Sequence, residues 1–314
     1  MQSTLGARAR CPATQRAAAV SRHSQRSVVR SRASVTAKAL PEALLFDCDG
    51  VLVDTERDGH RVSFNDAFKQ KGLDHTWGVE LYGELLEIGG GKERMTKYFK
   101  DVEDQEPFKS TKDPEARKTL VAELHKLKTD LFMQLVETGA MPLRPGVRRL
   151  VEEAVAAAEA HVGCKAVAMP LRPGVRRLVE EAVAAGVPVA VCSTSNERAV
   201  STIVRVMLGD KVASIMRVFA GDVVPKKKPD PAIYLLAAKE LGVNPARCVV
   251  VEDSRIGLQA AKAAGMTCVV TKSSYTQNED FGSADAVHDC IGEAGEERFS
   301  LADLSKMLEV NAAA

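Results

Sequence analysis

Residues Asp47-Cys48-Asp49-Gly50-Val51-Leu52-Val53-Asp54-Thr55-Glu56 follow a short apolar run, Ala43-Leu44-Leu45-Phe46. Asp47 and Asp49 flank one residue at the end of that run, so both carboxylates can face one pocket. Paired carboxylates divide work, one as nucleophile or metal ligand and the other as acid and base. Taken alone, Asp and Gly in this pattern equally make a turn. Three later segments add related chemistry. Val187–Cys192 leads into Ser193-Thr194-Ser195-Asn196, where hydroxyls and N–H groups at a helix start make a phosphate seat, a helix cap, or both. Pro225-Lys226-Lys227-Lys228-Pro229-Asp230-Pro231 holds Lys228 against a following proline. A lysine so placed at a helix start can neutralise a carboxylate and a phosphate; Lys226 and Lys227 read as solvated. Cys248–Val251 ends in Glu252-Asp253-Ser254, and acids there are hard oxygen ligands that suit Mg²⁺.

The segments before these groups are short apolar runs that read as buried parallel strands: 43–47, 187–192, 217–220, 248–251 and 268–271. Helical patterns separate them at 196–207, 231–242 and 256–264. Alternating strand and helix predicts a doubly wound parallel α/β sheet, in which ligands sit beyond the carboxyl ends of the strands. From 57 to 142 the pattern is helical and charged, with candidate helices at 60–70, 79–86, 92–100 and 115–138. That block interrupts the sheet after its first strand and reads as an inserted α-helical cap.

Composition narrows the remaining classes. The chain has 314 residues, 45% apolar and 27% charged, an ordinary globular mixture. Aromatics are only 4%, so the core is expected to be mostly Val, Leu, Ile and Ala. A net charge of +1 argues against a nucleic-acid partner, and no apolar run approaches the ~18–20 residues of a membrane span. Seven scattered cysteines without a Cys-x-x-Cys pair argue against a disulfide scaffold or zinc site. Residues 1–37 hold seven Arg, six Ser and no acid, leaving 36 Lys and Arg against 42 Asp and Glu, a charge of −6, in the rest. Such an N-terminus reads as an organelle transit peptide, with a disordered basic arm as the competing reading. The stretch Ala140–Ala157 recurs identically as Ala168–Ala185. Two copies are too few for a solenoid. Only one copy of this amphipathic helix can fill one slot on the sheet, and the second leads directly into strand 187–192. The domain expectation is therefore transit peptide 1–37, core 38–56 and 171–300, cap 57–142, duplicated insert 143–170 and C-terminal tail 301–314.

Four strand ends thus supply nucleophile, phosphate seat, cation and metal acids in that order. The order resembles the haloacid dehalogenase superfamily of phosphohydrolases, whose four motifs match here as DCDGV, the Ser193 hydroxyl, Lys228 in KPDP, and Glu252-Asp253. The resemblance covers roughly 42–290 and implies a Rossmann-like core. It implies that Asp47 attacks phosphorus to give a phosphoaspartyl enzyme, and that Asp49 protonates the leaving alcohol and then activates water. Ser193 would bind phosphoryl oxygens and Lys228 would balance their charge. Asp47, the backbone carbonyl of Asp49 and Asp253 would hold Mg²⁺, with Glu252 in its shell. This division suits phosphoryl transfer, which needs mainly in-line positioning and charge neutralisation.

Within the superfamily, DCDGVLVDTERDGHR (47–61), LYGELLEIGGGKERM (81–95), FAGDVVPKKKPDPAIY (219–234) and CVVVEDSRIGLQAAKAAGMTC (248–268) resemble the CbbY-like branch. That resemblance implies a monomeric phosphatase of the chloroplast stroma that converts xylulose 1,5-bisphosphate to xylulose 5-phosphate, removing a Rubisco inhibitor. Glu56, His60, Tyr82, Lys92, Arg94, Ser195 and Asn196 are the substrate candidates, and a second phosphate would call for Lys92, Arg94 and Arg172. Arg172 recurs as Arg144 in the first repeat copy. Gly89-Gly90-Gly91-Lys92 lacks the Ser or Thr of a nucleotide P-loop and reads as a flexible cap loop. The competing functions are a phosphosugar mutase of the same fold, a phosphatase for another small ester, and a sugar-phosphate binding module.

Overall fold

The computed structural model describes residues 40–138, 171–293 and 298–313. Strands β1 (Ala43–Phe46), β2 (Val189–Ser193), β3 (Arg217–Ala220), β4 (Cys248–Glu252), β5 (Thr267–Thr271) and β6 (Ala286–His288) form one sheet. Their order is β3-β2-β1-β4-β5-β6, and every pair is parallel. Side chains alternate across each strand, so the sheet feeds two cores. Leu44, Phe46, Val189, Val191, Val249, Val251 and Val269 enter one, and Leu45, Ala190, Cys192, Val250, Cys268 and Val270 enter the other. Burial on both faces is why these strands read as continuous apolar runs. The short edge strand β6, with Val287 exposed, has no such run and was not expected.

The insertion after β1 begins with a five-residue π-helical turn, Glu56–His60. It continues through α1 (Arg61–Gln70), α2 (Val79–Leu85), α3 (Gly91–Asp101) and α4 (Pro114–Thr138). These helices bury their own core, including Phe64, Phe68, Trp77, Tyr82, Phe99 and Phe108. The few aromatics of the chain are thus concentrated in the cap, and the expected aliphatic core describes only the sheet. Helix α4 joins the two bodies. Its Val121 and Leu124 lie in the cap core, while Phe132 and Val136, further along the same face, lie in the sheet core.

The sheet is covered by α5 (Val175–Ala184), α6 (Glu197–Leu208), the short α7 (Asp210–Ala213), α8 (Ala232–Leu241), α9 (Arg255–Ala263) and α10 (Leu301–Ala313). Helices α5, α6 and α10 close one face, and α8 and α9 the other. Helix α5 comes from the second repeat copy and buries Val175, Leu178, Val179 and Ala182. The first copy, the rest of the duplicated insert, Arg144 and the 1–37 segment lie outside the described residues. The segment expected as a C-terminal tail is a core helix. Leu301, Leu304 and Leu308 bury against the sheet, a spacing of one helical face. The five described cysteines, Cys48, Cys192, Cys248, Cys268 and Cys290, are free thiols.

Candidate active site

The carboxyl ends of β1, β2 and β4 meet in one cavity roofed by the cap. Asp47, Asp49, Ser193, Ser195, Asn196, Lys228 and Asp253 line its sheet side, and Glu56, His60, Arg94, His125 and Lys128 its cap side. The backbone after β1 turns back through Gly50, at φ 84°, a left-handed conformation that favours glycine. A side chain there would also collide with the Asp253 carboxylate. Glycine thus lets the two acidic loops touch.

Lys228 is the electrostatic hub. Its Nζ donates to Asp47 Oδ1 at 2.6 Å, Glu252 Oε1 at 2.6 Å and the Cys192 carbonyl at 2.8 Å. Burial opposes the ammonium charge, but the Asp47 and Glu252 carboxylates outweigh it and hold the lysine well above its usual pKa. One cation faces three buried acids, Asp47, Glu252 and Asp253, whose oxygens lie within 4.8 Å of one another. Burial pushes Asp47 up to about 8 despite Lys228, with Glu252 and Asp49 adding to the rise. Burial, Asp47 and Glu252 raise Asp253 well above the carboxylate range. A buried excess of negative oxygen ligands is the donor set that a hard divalent cation fits. Glu252 is the least available of the three. It accepts from Lys228, Tyr234 Oη, the Asp253 N–H at 3.2 Å and Ser254 Oγ at 3.3 Å. Its carboxylate also packs on Gly257, where a side chain would not fit.

Asp49 belongs to a second network. It accepts from Thr55 Oγ1, from Ser195 Oγ at 2.6 Å and from His60 Nε2 at 2.9 Å. Burial works against its charge, but these donors prevail and hold the carboxyl well below the usual range. His60 Nδ1 lies 2.7 Å from Lys128 Nζ. An ammonium only donates, so Nδ1 accepts and Nε2 carries the proton directed at Asp49. Lys128 lies 4.7 Å from the Phe64 ring centroid and 5.2 Å from that of Phe132. Burial lowers it to about 8.

The structure brings together Asp47, Asp49, Ser193, Lys228, Asp253, Glu56, His60, Arg94, Ser195 and Asn196 at this cavity. Ser193 Oγ accepts the Ser195 N–H at 3.1 Å. Asn196 Oδ1 caps α6 through the Arg198 N–H at 3.0 Å. Three expected substrate residues stand elsewhere. Tyr82 is fully buried behind the wall; its hydroxyl donates to Glu56 Oε2 and accepts from Arg94 Nη1 at 3.0 Å. Lys92 lines a neighbouring hollow and pairs with Asp222. Arg172 donates to the carbonyls of Gly50, Thr271, Lys272 and Asp289 and so ties loops together instead of facing the cavity. Lys128, His125, Thr55 and Tyr275 were missed. For Lys128 the signal was a lysine within the apolar stripe Val121, Leu124, Phe132 and Val136 of α4. His125 and Tyr275 gave none.

The sequence model of the haloacid dehalogenase-like hydrolases matches residues 41–265. A CBBY-like protein of Arabidopsis thaliana is 58% identical over 286 residues, covering 91% of this chain and 80% of that protein. Protein CbbY of Cereibacter sphaeroides is 36% identical over 256 residues, covering 81% of this chain and 94% of its own. The crystal structure of a CbbY variant from Rhodobacter sphaeroides in complex with xylulose-(1,5)bisphosphate superposes with a TM-score of 0.65 at 36% identity, covering 82% of this chain and 97% of that one. With Asp47, Lys228 and the acid cluster gathered at the carboxyl side of a parallel sheet, the chain belongs to the haloacid dehalogenase-like hydrolases and, within them, to the CbbY-like phosphatases.

Proposed function

We propose that the chain removes one phosphate from a sugar bisphosphate, with xylulose 1,5-bisphosphate as substrate and xylulose 5-phosphate as product. The observation that carries this reading is the charge of the cap-side wall. Arg94 and Lys128 are each only 7% exposed there; of the two cap-side carboxylates lining the same cavity among the described residues, Glu87 pairs with Arg255, which leaves Glu56. A sugar monoester leaves these two cations only the Glu56 carboxylate between them once its phosphate is seated at Asp47. A second phosphate supplies one. The CbbY complex with the same bisphosphate supports the choice of sugar.

In this reading Asp47 attacks phosphorus and forms a phosphoaspartyl group. Lys228 and the hydroxyls of Ser193 and Ser195 bear on the charge of the transferring oxygens. Asp49, ionised in the free protein, takes up a proton from solvent as the substrate phosphate arrives, gives it to the leaving alcohol and then takes one from the attacking water. His60 directs an N–H at Asp49 and thereby fixes which oxygen moves the proton. Mg²⁺ fits the acid cluster, held by Asp47 and Asp253 with Glu252 beside them, and supplies Lewis-acid charge neutralisation. The Arg- and Ser-rich, acid-free residues 1–37 and the Arabidopsis relative support action in the chloroplast stroma.

The test is phosphate release from xylulose 1,5-bisphosphate by the chain with and without Mg²⁺. Release that requires Mg²⁺ is expected. Conversion of a hexose bisphosphate to an isomer without free phosphate would instead make the protein a mutase. Lys128 gives a sharper test of the wall. It is mostly charged below about 8 and loses that charge as pH rises through it. The wild-type kcat/KM for the bisphosphate should therefore fall between about pH 7 and 9. Lys128→Met should be at least about tenfold weaker at pH 7 and lack that limb. An unchanged alkaline limb in the variant would remove Lys128 from substrate binding.

A further inference from the structure

The triglycine segment that sequence reading leaves as a flexible loop is seated on the catalytic lysine. A Cβ placed on Gly89 would lie 2.7 Å from the backbone carbonyl oxygen of Lys228 and 3.6 Å from the Lys227 Cβ. No real side chain tolerates the first contact, and backbone does not move aside as a side-chain tip does. Gly89 has no left-handed backbone requirement, unlike Gly90 at φ 99°. Its demand is for proximity alone. The next residues press elsewhere: a Cβ on Gly91 would meet His125 at 2.9 Å and Phe64 at 3.2 Å.

Both ends of this segment are fastened to the sheet domain beside catalytic residues. On one side Glu87 pairs with Arg255, two residues after Asp253. On the other, Lys92 pairs with Asp222, which also accepts from Lys227 Nζ at 2.9 Å, next to Lys228. Exposed pairs of this kind contribute little alone, but here they bracket a strap whose middle has no side chain.

We propose that Glu87–Lys92 is a strap that positions Lys228, with Gly89 as the positioning residue. The strap rests on the lysine's own backbone and sets the height of Nζ against Asp47 when the cap is closed. The cap thereby acts on the charge-neutralising cation and not only on the sugar. The inference needs the family's phosphatase chemistry but not the bisphosphate reading, so its test uses two substrates.

Gly89→Ala should lower kcat on both p-nitrophenyl phosphate and xylulose 1,5-bisphosphate by about tenfold to a hundredfold, the scale of a sub-ångström to one-ångström misplacement. Its Tm should match wild type, because the cap can stand off without unfolding. A loss confined to the bisphosphate and carried by KM would overturn the proposal, since the strap would then shape only the sugar site. Unchanged kcat on both substrates would also overturn it. A wild-type chain active on p-nitrophenyl phosphate alone would count against the bisphosphate reading and leave this test intact. Should Gly89→Ala not fold, the exposed double variant Glu87→Gln with Asp222→Asn serves. Wild-type kcat should fall as salt rises from about 0.05 to 0.5 M, and the double variant should be slower and flat. A double variant matching wild type at both salts overturns the fastening.

Discussion

Asp47→Asn should abolish turnover, by about four orders of magnitude or more, and leave the fold intact. The amide keeps the size and one acceptor for Lys228, whose 2.6 Å bond to Glu252 persists. It cannot attack phosphorus. In metal-free protein the substitution also removes one of three crowded buried acids. The sign follows from linkage. The folded Asp47 pKa, about 8, lies above its ordinary value of 3.8. A group raised in this way favours the folded state only while protonated, and its contribution declines as pH rises from about 4 to about 8. At pH 8 in EDTA, Asp47→Asn should therefore melt no lower than wild type, and the difference should vanish near pH 4. Phosphate release and a thermal melt on the same preparation check both halves. Wild-type turnover would show that Asp47 is not the nucleophile, whereas loss of turnover with a collapsed melt would show only that it is structural.

What the sequence disclosed and what it withheld divide along physical lines. Buried parallel strands leave continuous apolar runs, and ligands sit beyond their carboxyl ends, so Asp47, Ser193 and Asp253 could be placed from the sequence. Cap chemistry marked the Ser193–Asn196 segment, and Asn196 does cap α6. Charge without a partner was the weak guide. Lys92 and Arg172 had the right sign for a second phosphate, but spacing does not reveal that Asp222 or a set of backbone carbonyls lies closer. The reverse error hid Lys128. Its place in an apolar stripe announced burial, and only the crossing of α4 from cap to sheet determines which cavity that burial adjoins. The C-terminal helix was legible in principle, since Leu301, Leu304 and Leu308 share one face. Strand β6 was not, because an exposed three-residue edge carries no periodicity to read. The triglycine poses a related problem: glycine signals permission, and whether it permits motion or contact depends on what lies opposite.

Lys228→Met should damage the protein twice, and the two losses should separate. Lys228 is 5% exposed and Glu252 fully buried, so deleting the ammonium leaves carboxylates without compensation in a dry site. Breaking a buried pair in this way costs about 3–5 kcal/mol, or a fall in Tm of about 10 °C for a domain of this size. Without Lys228, the influences left on Asp47 nearly all raise its pKa further. Wild-type Asp47 is itself mostly protonated below about 8 in the folded state, so the penalty should be level between about pH 5 and 7 and grow as pH rises through about 8. Mg²⁺ offers an independent check. A divalent cation that binds the folded acid cluster stabilises it by mass action, about 2.7 kcal/mol at a hundredfold excess over Kd, and should return part of the lost Tm. Activity should not return with it. The ion can balance the acids, but the donor to Asp47 is gone, and with it the charge that sat between nucleophile and phosphate. Full kinetic rescue by Mg²⁺ would mean that Lys228 acts only as a counter-ion. A Tm unchanged at pH 8 would mean that the ammonium does not offset buried negative charge, and the charge balance drawn around this lysine would have to be redrawn.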